Sequence, residues 1–133
     1  MAYVTRHDRD RWAIYTADTD GSNQTLVREH TQALSQPKWT ADDTQLIYVL
    51  LDENGEYEQL VLHDLESDES TVLVDTGNMG SIALSPDRTK VAYISMETPR
   101  QRPAYMCVYA WTDDSQRCIE QEAISVSDLV WAW

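Results

Sequence analysis

Short apolar runs separated by polar turns dominate this chain. Residues 46–51 (LIYVLL) and 91–94 (VAYI) are rich in the β-branched and aromatic residues that favour strands. The segment Asp52-Glu53-Asn54-Gly55 follows the first run and predicts a turn, because Asn-Gly adopts positive φ at little cost. No stretch of ten or more residues has the i, i+3, i+4, i+7 spacing of an amphipathic helix. The pattern therefore predicts an all-β chain.

The strand pattern recurs about every 45 residues. Residues 39–49 (WTADDTQLIYV) align without a gap with residues 84–94 (LSPDRTKVAYI), and Tyr3, Tyr48 and Tyr93 keep the same spacing. Each unit has room for four antiparallel strands, named a to d here, which is the size of a propeller blade. The sequence predicts a β-propeller with three four-stranded blades per chain, half of a six-bladed ring, in a single domain of residues 1–133.

Two recurring segments also carry a family resemblance. Residues 85–93 (SPDRTKVAY), and a weaker copy from Trp39, are similar to a W-S-P-D-G-x-x-I-A-Y repeat. Residues 14–23 (IYTADTDGSN) are similar to an I-Y-x-x-D-x-D-G-S-N hairpin. Both segments resemble the TolB-like (PD40, WD40-like repeat) β-propeller family over nearly the whole chain. The chain departs from that pattern where Asp43 and Arg88 replace the glycine of S-P-D-G, and where Thr-Ala-Asp replaces the first Ser-Pro-Asp.

The repeated motif is interpreted as structural. Short side-chain oxygens in an a–b turn can accept hydrogen bonds from N–H groups two residues on, which favours a turn role over catalytic carboxylates. The turn residues in this interpretation are Thr40, Asp42, Ser85, Pro86 and Asp87. Aromatic residues at recurring positions are expected in the blade core, namely Tyr3, Trp39, Tyr48 and Tyr93.

The phase of the repeat gives the expected strand order. Residues 1–35 supply strands b, c and d, residues 36–79 and 80–125 supply one blade each, and residues 126–133 supply a further strand a. A three-blade arc would expose apolar faces and an unpaired edge. Two interpretations stay open: a homodimer in which each strand of residues 126–133 completes the other chain's first blade, or a piece of a longer propeller.

The loops divide by charge between two faces. In propellers the a–b and c–d loops share one face, which is expected to be strongly acidic here, and the b–c and d–a loops share the other. The b–c loop of the third blade, residues 95–103, is long and contains two prolines. Because loops on a rigid scaffold carry recognition, Arg100 and Arg102 are the first candidates for a partner contact, with Arg9 and Arg11 on the same face. The alternative is that these arginines are only solvated.

Composition removes several classes of function. Ten basic and 23 acidic residues give a net charge of −13, which argues against nucleic-acid binding and against docking on anionic lipid. No apolar run reaches the length of a membrane span. The first residues lack the apolar stretch of a signal peptide. The expected location is cytoplasmic for the chain as written, or periplasmic or extracellular if a leader has been removed.

Metal and cofactor sites are not predicted. Asp18, Asp20 and Ser22, with Glu29, have a spacing similar to an EF-hand, but Gly21 is two places early and no helices flank it, so a hairpin turn is favoured over calcium. The three histidines lack the short spacing of zinc ligands.

The two cysteines are expected on one c–d hairpin. Cys107 and Cys118 are nearly opposite each other about a turn at residues 112–115. Two buried free thiols are favoured, and a cross-strand disulfide is the alternative if the protein is exported.

These observations predict a non-enzymatic scaffold that binds a protein or peptide through its loop face or central channel. The alternative is a propeller enzyme of the lyase or glycosidase type, or the propeller part of a peptidase-like protein. No paired Glu/Asp constellation recurs at the inner-strand ends, which favours the first prediction.

Overall fold

The computed structural model describes residues 1–96 and 104–121, which form ten β-strands and no helix. The contacts divide the chain into two compact units, residues 1–74 and 75–133, and each is described by itself. The all-β prediction is confirmed. Within the described ranges no helix is long and apolar enough to cross a membrane.

The first blade forms a three-stranded antiparallel sheet in the first unit. Its strands are β1 (Ala2–Asp8), β2 (Arg11–Thr16) and β3 (Thr25–His30), in the spatial order β1-β2-β3. Tyr3 lies opposite Tyr15, and Trp12 lies opposite His30. In the blade nomenclature these strands are labelled b, c and d.

The middle blade completes the first unit. It contains β4 (Lys38–Trp39), β5 (Gln45–Leu51), β6 (Tyr57–Asp64) and the first part of β7 (Glu69–Leu84). The β5–β6 turn follows its Asn-Gly signal: Gly55 has φ +79°, and the Asp52 N–H donates to the Glu56 carbonyl at 2.8 Å. The strands follow the order a-b-c-d.

The third blade lies in the second unit. Here the second part of β7 pairs with β8 (Lys90–Met96), β8 with β9 (Ala104–Ala110), and β9 with β10 (Ser115–Gln121). The strand order again is a-b-c-d. Strand β7 is continuous from Glu69 to Leu84, and its pairing with β8 shifts register between Met79 and Ile82. Residues 126–133, the expected further strand a, lie outside the described residues.

The apolar core of the first unit lies between the first and middle blades. Its buried side chains come from β2, the segment after β3, β5 and β6, and they are Ile14, Leu34, Leu46, Tyr48, Leu50 and Val61. The segment after β3 is tied to β5, because the Ser35 N–H donates to the Val49 carbonyl and the Leu51 N–H to the Ala33 carbonyl, both at 2.8 Å. Each fully buried side chain of this kind contributes about 1.5–3 kcal/mol.

The recurring tyrosines occupy matching positions on their b strands. Tyr48 on β5 and Tyr93 on β8 are both 0% exposed. Tyr3 and Trp39 are half-buried, and Tyr3 stacks on Tyr15 with ring centroids 5.7 Å apart. The Tyr93 hydroxyl makes no hydrogen bond of normal geometry to any residue the structure describes. Burial raises the pKa of Tyr93, and Gln116 offsets this in part.

The two a–b turns have the same hydrogen bonds. The Thr40 hydroxyl donates to the Asp42 carboxylate at 2.8 Å, and the Ser85 hydroxyl donates likewise to Asp87. The Thr44 N–H donates to the Asp42 carboxylate at 3.2 Å, and the Thr89 N–H donates to the Asp87 carboxylate at the same distance. Thr40 and Ser85 are buried, whereas Pro86 is exposed. The motif residues therefore hold the turns together.

The missing glycines of the repeat have a structural consequence. Asp43 and Arg88, which replace them, have φ of 56° and 53°, the left-handed region that glycine adopts freely. The turn geometry is thus kept, but these two residues adopt an unfavourable backbone conformation for a residue with a side chain.

The cysteines correct one expectation. Cys107 and Cys118 are directly opposed on β9 and β10 and form a disulfide with an S–S distance of 2.01 Å, rather than two buried thiols. Opposed positions on an antiparallel pair bring the two Cβ atoms together. Cys118 is also exposed, so only Cys107 has the burial expected of a structural thiol.

Removing the Tyr93 ring should cost far more stability than removing its hydroxyl. Tyr93→Ala is expected to lower the free energy of unfolding by about 3–5 kcal/mol, as for a large core truncation. Tyr93→Phe should change it by less than about 1 kcal/mol, because the hydroxyl makes no hydrogen bond of normal geometry to a described residue. Urea denaturation measures both, and a loss below about 1 kcal/mol for Tyr93→Ala would show that the repeat phase is wrong.

Restoring the glycine of the third blade's a–b turn should stabilise the protein. Arg88→Gly relieves the left-handed backbone cost and is expected to raise the free energy of unfolding by about 1 kcal/mol. Arg88→Ala is the control, because it shortens the side chain without relieving the backbone. Equal denaturation midpoints for the two variants would contradict this assignment.

Candidate functional site

A cleft of about 570 Å³ opens on one rim of the first unit. The β1–β2 turn supplies Arg9 and Asp10, the segment after β3 supplies residues 31–33, and the β5–β6 turn supplies Asp52, Glu53 and Gly55. The cleft thus brings together two b–c loops and a d–a connection, which the blade phase predicts on one face.

Arg6 on the wall of the cleft is held in place before any ligand arrives. Its Nε donates to the Asp8 carbonyl at 3.1 Å and its Nη2 to the Arg9 carbonyl at 2.9 Å. The guanidinium also lies over the Trp12 ring, 5.2 Å from the centroid, a cation–π contact worth about 0.5–1 kcal/mol at an exposed site. Since little side-chain freedom remains to be lost, Arg6 can take part in recognition at a low entropic cost.

The arginines predicted for partner contact have different surroundings. Arg9 lines the cleft, and its side chain has no ion pair among the described residues. Arg11 pairs with Asp8 at 3.4 Å, and both side chains are more than half exposed, so the pair contributes little stability. Arg100 and Arg102 lie outside the described residues.

Acidic side chains stand beside these arginines. The Asp52 carboxylate accepts hydrogen bonds from the Glu56 and Asn54 N–H groups at 2.8 Å, and these bonds lower its pKa. Asp10 and Glu53 line the same cleft. The cleft therefore offers both signs of charge around an aromatic ring, an arrangement that suits a polar peptide segment.

A second polar cluster, called the interblade network here, lies at the junction of the first and middle blades. His30 Nε2 is 3.1 Å from the Tyr48 hydroxyl, and the two rings meet edge to face with centroids 5.4 Å apart. His63 Nδ1 is 2.9 Å from the Ser70 hydroxyl. Burial raises the pKa of Tyr48, and Ser70 offsets this in part.

Charged groups close the interblade network at its outer end. Asp68 Oδ1 lies 3.6 Å from His63 Nε2 and 3.7 Å from an Arg28 guanidinium nitrogen. Burial lowers the pKa of His30, and Arg28 and His63 lower it further. Burial also lowers the pKa of His63, more than Asp68 raises it. Both imidazoles are therefore held neutral at neutral pH.

Ser70, His63 and Asp68 stand in the order of a nucleophile, a base and an acid, but their geometry suits a structural network. His63 is 1% exposed, and its 3.6 Å separation from Asp68 exceeds normal hydrogen-bond length. Sequence reasoning missed this network, because the repeat marks Tyr48 as a core residue and gives no signal for its partner His30.

The acidic turns are built from hydrogen bonds within each turn. Asp20 accepts from the Ser22 N–H at 2.9 Å, and Asp18 accepts from the Asn23 side chain at 2.7 Å. The predicted hairpin is therefore present where calcium was the alternative. Hydrogen bonds from the Ser67 N–H and from Gln45 lower the pKa of Asp64 to about 2. Within residues 1–96 and 104–121, no three His, Cys, Asp or Glu side chains are grouped to hold a metal ion.

Comparison with known proteins gives both sequence and structural relatives. The Tol-Pal system protein TolB of Histophilus somni (strain 129Pt) is 36% identical over 75 residues, which are 55% of this chain and 17% of that protein. The chain thus spans about a sixth of the length of this curated relative. No family model matches the chain.

Two solved structures share the fold. The crystal structure of TolB from Acinetobacter baumannii has a TM-score of 0.69 at 21% identity, covering 88% of this chain and 29% of that one. An oligogalacturonate lyase in complex with manganese has a TM-score of 0.71 at 12% identity, covering 85% and 31%. At these identities the structural likeness shows the fold alone. Taken with the TolB sequence similarity, it supports a TolB-like β-propeller fold for this chain.

Proposed function

We propose that the chain is a non-enzymatic β-propeller module that binds a protein or peptide partner on the rim carrying the cleft. The cleft is the observation that supports this most directly. It joins loops of two blades, it has the volume of a typical ligand site, and it holds Arg6 prearranged on Trp12. The similarity to TolB, a protein named for the Tol-Pal system, favours an interaction module.

The partner contacts of this proposal are arginines of the same rim. Among the described residues, the Arg9 side chain in the cleft has no ion pair, and Arg11 has an exposed pair with Asp8. Arg100 and Arg102 are proposed to extend the contact from the b–c loop of the third blade. Arginine suits this role because its planar fork binds carboxylates in a bidentate manner.

The enzyme alternative has weaker support. The lyase similarity shows the fold alone. The Asp42 and Asp87 carboxylates, which would be its first candidates, accept hydrogen bonds within their turns, and these bonds lower their pKa values. They are therefore held as anions that stabilise the turns.

Ring completion by a second copy, or by further blades of a longer chain, stays a prediction.

Charge reversal on the rim should weaken peptide capture. A random peptide phage library selected on the immobilised protein supplies the probe, and the affinity of the strongest selected peptide is then measured by fluorescence anisotropy. Arg9→Glu and the double change Arg100→Glu/Arg102→Glu should each reduce that affinity about tenfold or more, which corresponds to about 1.4 kcal/mol. Folding should be unaffected, because exposed loop charges add little stability.

The matched control is reversal of Asp113 and Asp114 in the c–d turn of the third blade, on the opposite loop face by blade phase. This change should leave peptide affinity unchanged. If it abolishes binding while the arginine variants bind normally, the recognition face has been assigned wrongly and the acidic face is the docking surface.

A further inference from the structure

The interblade network contains two histidines at a junction between separate blades. His30 is the last residue of β3 in the first blade, whereas its partner Tyr48 is on β5 in the middle blade. His63 lies on β6 and is 1% exposed. The His30–Tyr48 contact joins the first blade to the middle blade, and the Asp68 carboxylate, which lies near both His63 and Arg28, joins them a second time.

The charged and titratable groups around the two imidazoles come from each neighbouring element. Arg28 comes from β3, Tyr48 from β5, Asp64 from the end of β6, and Asp68 from the turn before β7. Asp64 and Asp68 favour a charged His63, whereas Arg28 and burial oppose it. Burial, Arg28 and His63 all lower the pKa of His30, and no carboxylate of the described residues counteracts them.

We propose that His30 and His63 form an acid-sensitive latch between the first and middle blades, which holds the two blades together while both imidazoles are neutral and loosens when they take up protons. A proton on either ring places a positive charge in a buried junction that already contains Arg28. Arg28 and His30 lie on β3 and His63 lies on β6, so the like charges of the two strands can separate only if β3 moves away from the middle blade.

The sign of the pH dependence follows from the lowered pKa values. In the unfolded chain both histidines titrate near their ordinary value of about 6.5. The folded state releases these protons more readily, so the unfolded state binds more protons as the pH falls below that value. The neutral histidines contribute fully to the free energy of unfolding above about pH 6.5. This contribution is lost as the pH falls towards the pKa values that His30 and His63 have in the folded state. Asp64, with a pKa of about 2, does not titrate in this window.

The latch adjoins the rim cleft, so it should also control binding there; this second part rests on the proposed function. Trp12, which lines the cleft, lies directly opposite His30 on the β2–β3 pair. Residues 31–33, which follow His30, form another part of the wall and are bonded to β5 through the Leu51 N–H. Movement of β3 relative to β5 therefore alters the cleft.

Hydrogen exchange tests the latch without any ligand. Amide protection in β5 (Gln45–Leu51), corrected for the intrinsic rate, is measured by mass spectrometry at about pH 7.5 and about pH 5. Protection of β5 should fall on acidification, whereas that of β8 (Lys90–Met96) in the third blade should not. His30→Gln and His63→Gln should each remove about half of the acid-dependent fall, because one of two titrating groups is gone. His7→Gln, at an exposed histidine of the first blade, should remove none of it.

Two results would overturn the latch. One is the same acid-dependent loss of β5 protection in the wild type and in both latch variants. The other, which does not depend on any variant folding, is an NMR titration of the wild type in which the His30 or His63 ring protons report a midpoint at or above about 6.5.

The effect of the latch on peptide binding is tested by a separate measurement. If the latch holds, the selected peptide should bind more weakly at about pH 5, and His63→Gln should reduce this pH dependence. A latch seen by exchange together with a peptide whose affinity does not change with pH would contradict the coupling to the cleft. Failure to select any peptide would count against the proposed function and not against the latch.

Discussion

The packing of the first blade against the middle blade is the contact on which the first unit depends. A single sheet of three or four strands cannot bury both of its faces, so each blade requires a neighbour. Here β2 and β5 provide facing apolar side chains, with Ile14 and Tyr48 fully buried. The rim cleft and the interblade network are both formed at this junction. A change that separates the two blades therefore affects stability and the candidate site together.

Much of the acidity of the chain serves local structure. Carboxylates at the a–b turns and in the hairpin at Asp18 and Asp20 accept hydrogen bonds from nearby N–H or hydroxyl groups. The net charge of −13 is therefore a poor guide to recognition by itself. The cleft is different, because its side chains come from distant parts of the chain and include an arginine already stacked on tryptophan. Its position, more than the overall charge, favours the rim as the recognition surface.

The repeat predicts the strand order because the spacing of Tyr48 and Tyr93 reports blade size directly. It also predicts the a–b turns, whose hydrogen bonds span only a few residues. Three features depended on contacts that a repeat does not encode. Strand β7 is continuous over 16 residues, the disulfide forms where free thiols were favoured, and His30 contacts a tyrosine 18 residues away in another blade. At Arg88 the turn is retained although the sequence departs from the repeat: Arg88 keeps the left-handed φ that the glycine of the motif would adopt.

Face-to-face stacking of the first and middle blades is tested most directly by NMR contacts between aromatic rings. The structure predicts nuclear Overhauser cross-peaks between the His30 and Tyr48 rings, whose centroids are 5.4 Å apart. The stacked rings of Tyr3 and Tyr15 within the first blade, 5.7 Å apart, provide an internal reference of similar distance. Cross-peaks for both pairs at neutral pH would support the stacked blades. A clear signal for the Tyr3–Tyr15 pair with none between His30 and Tyr48 would contradict them.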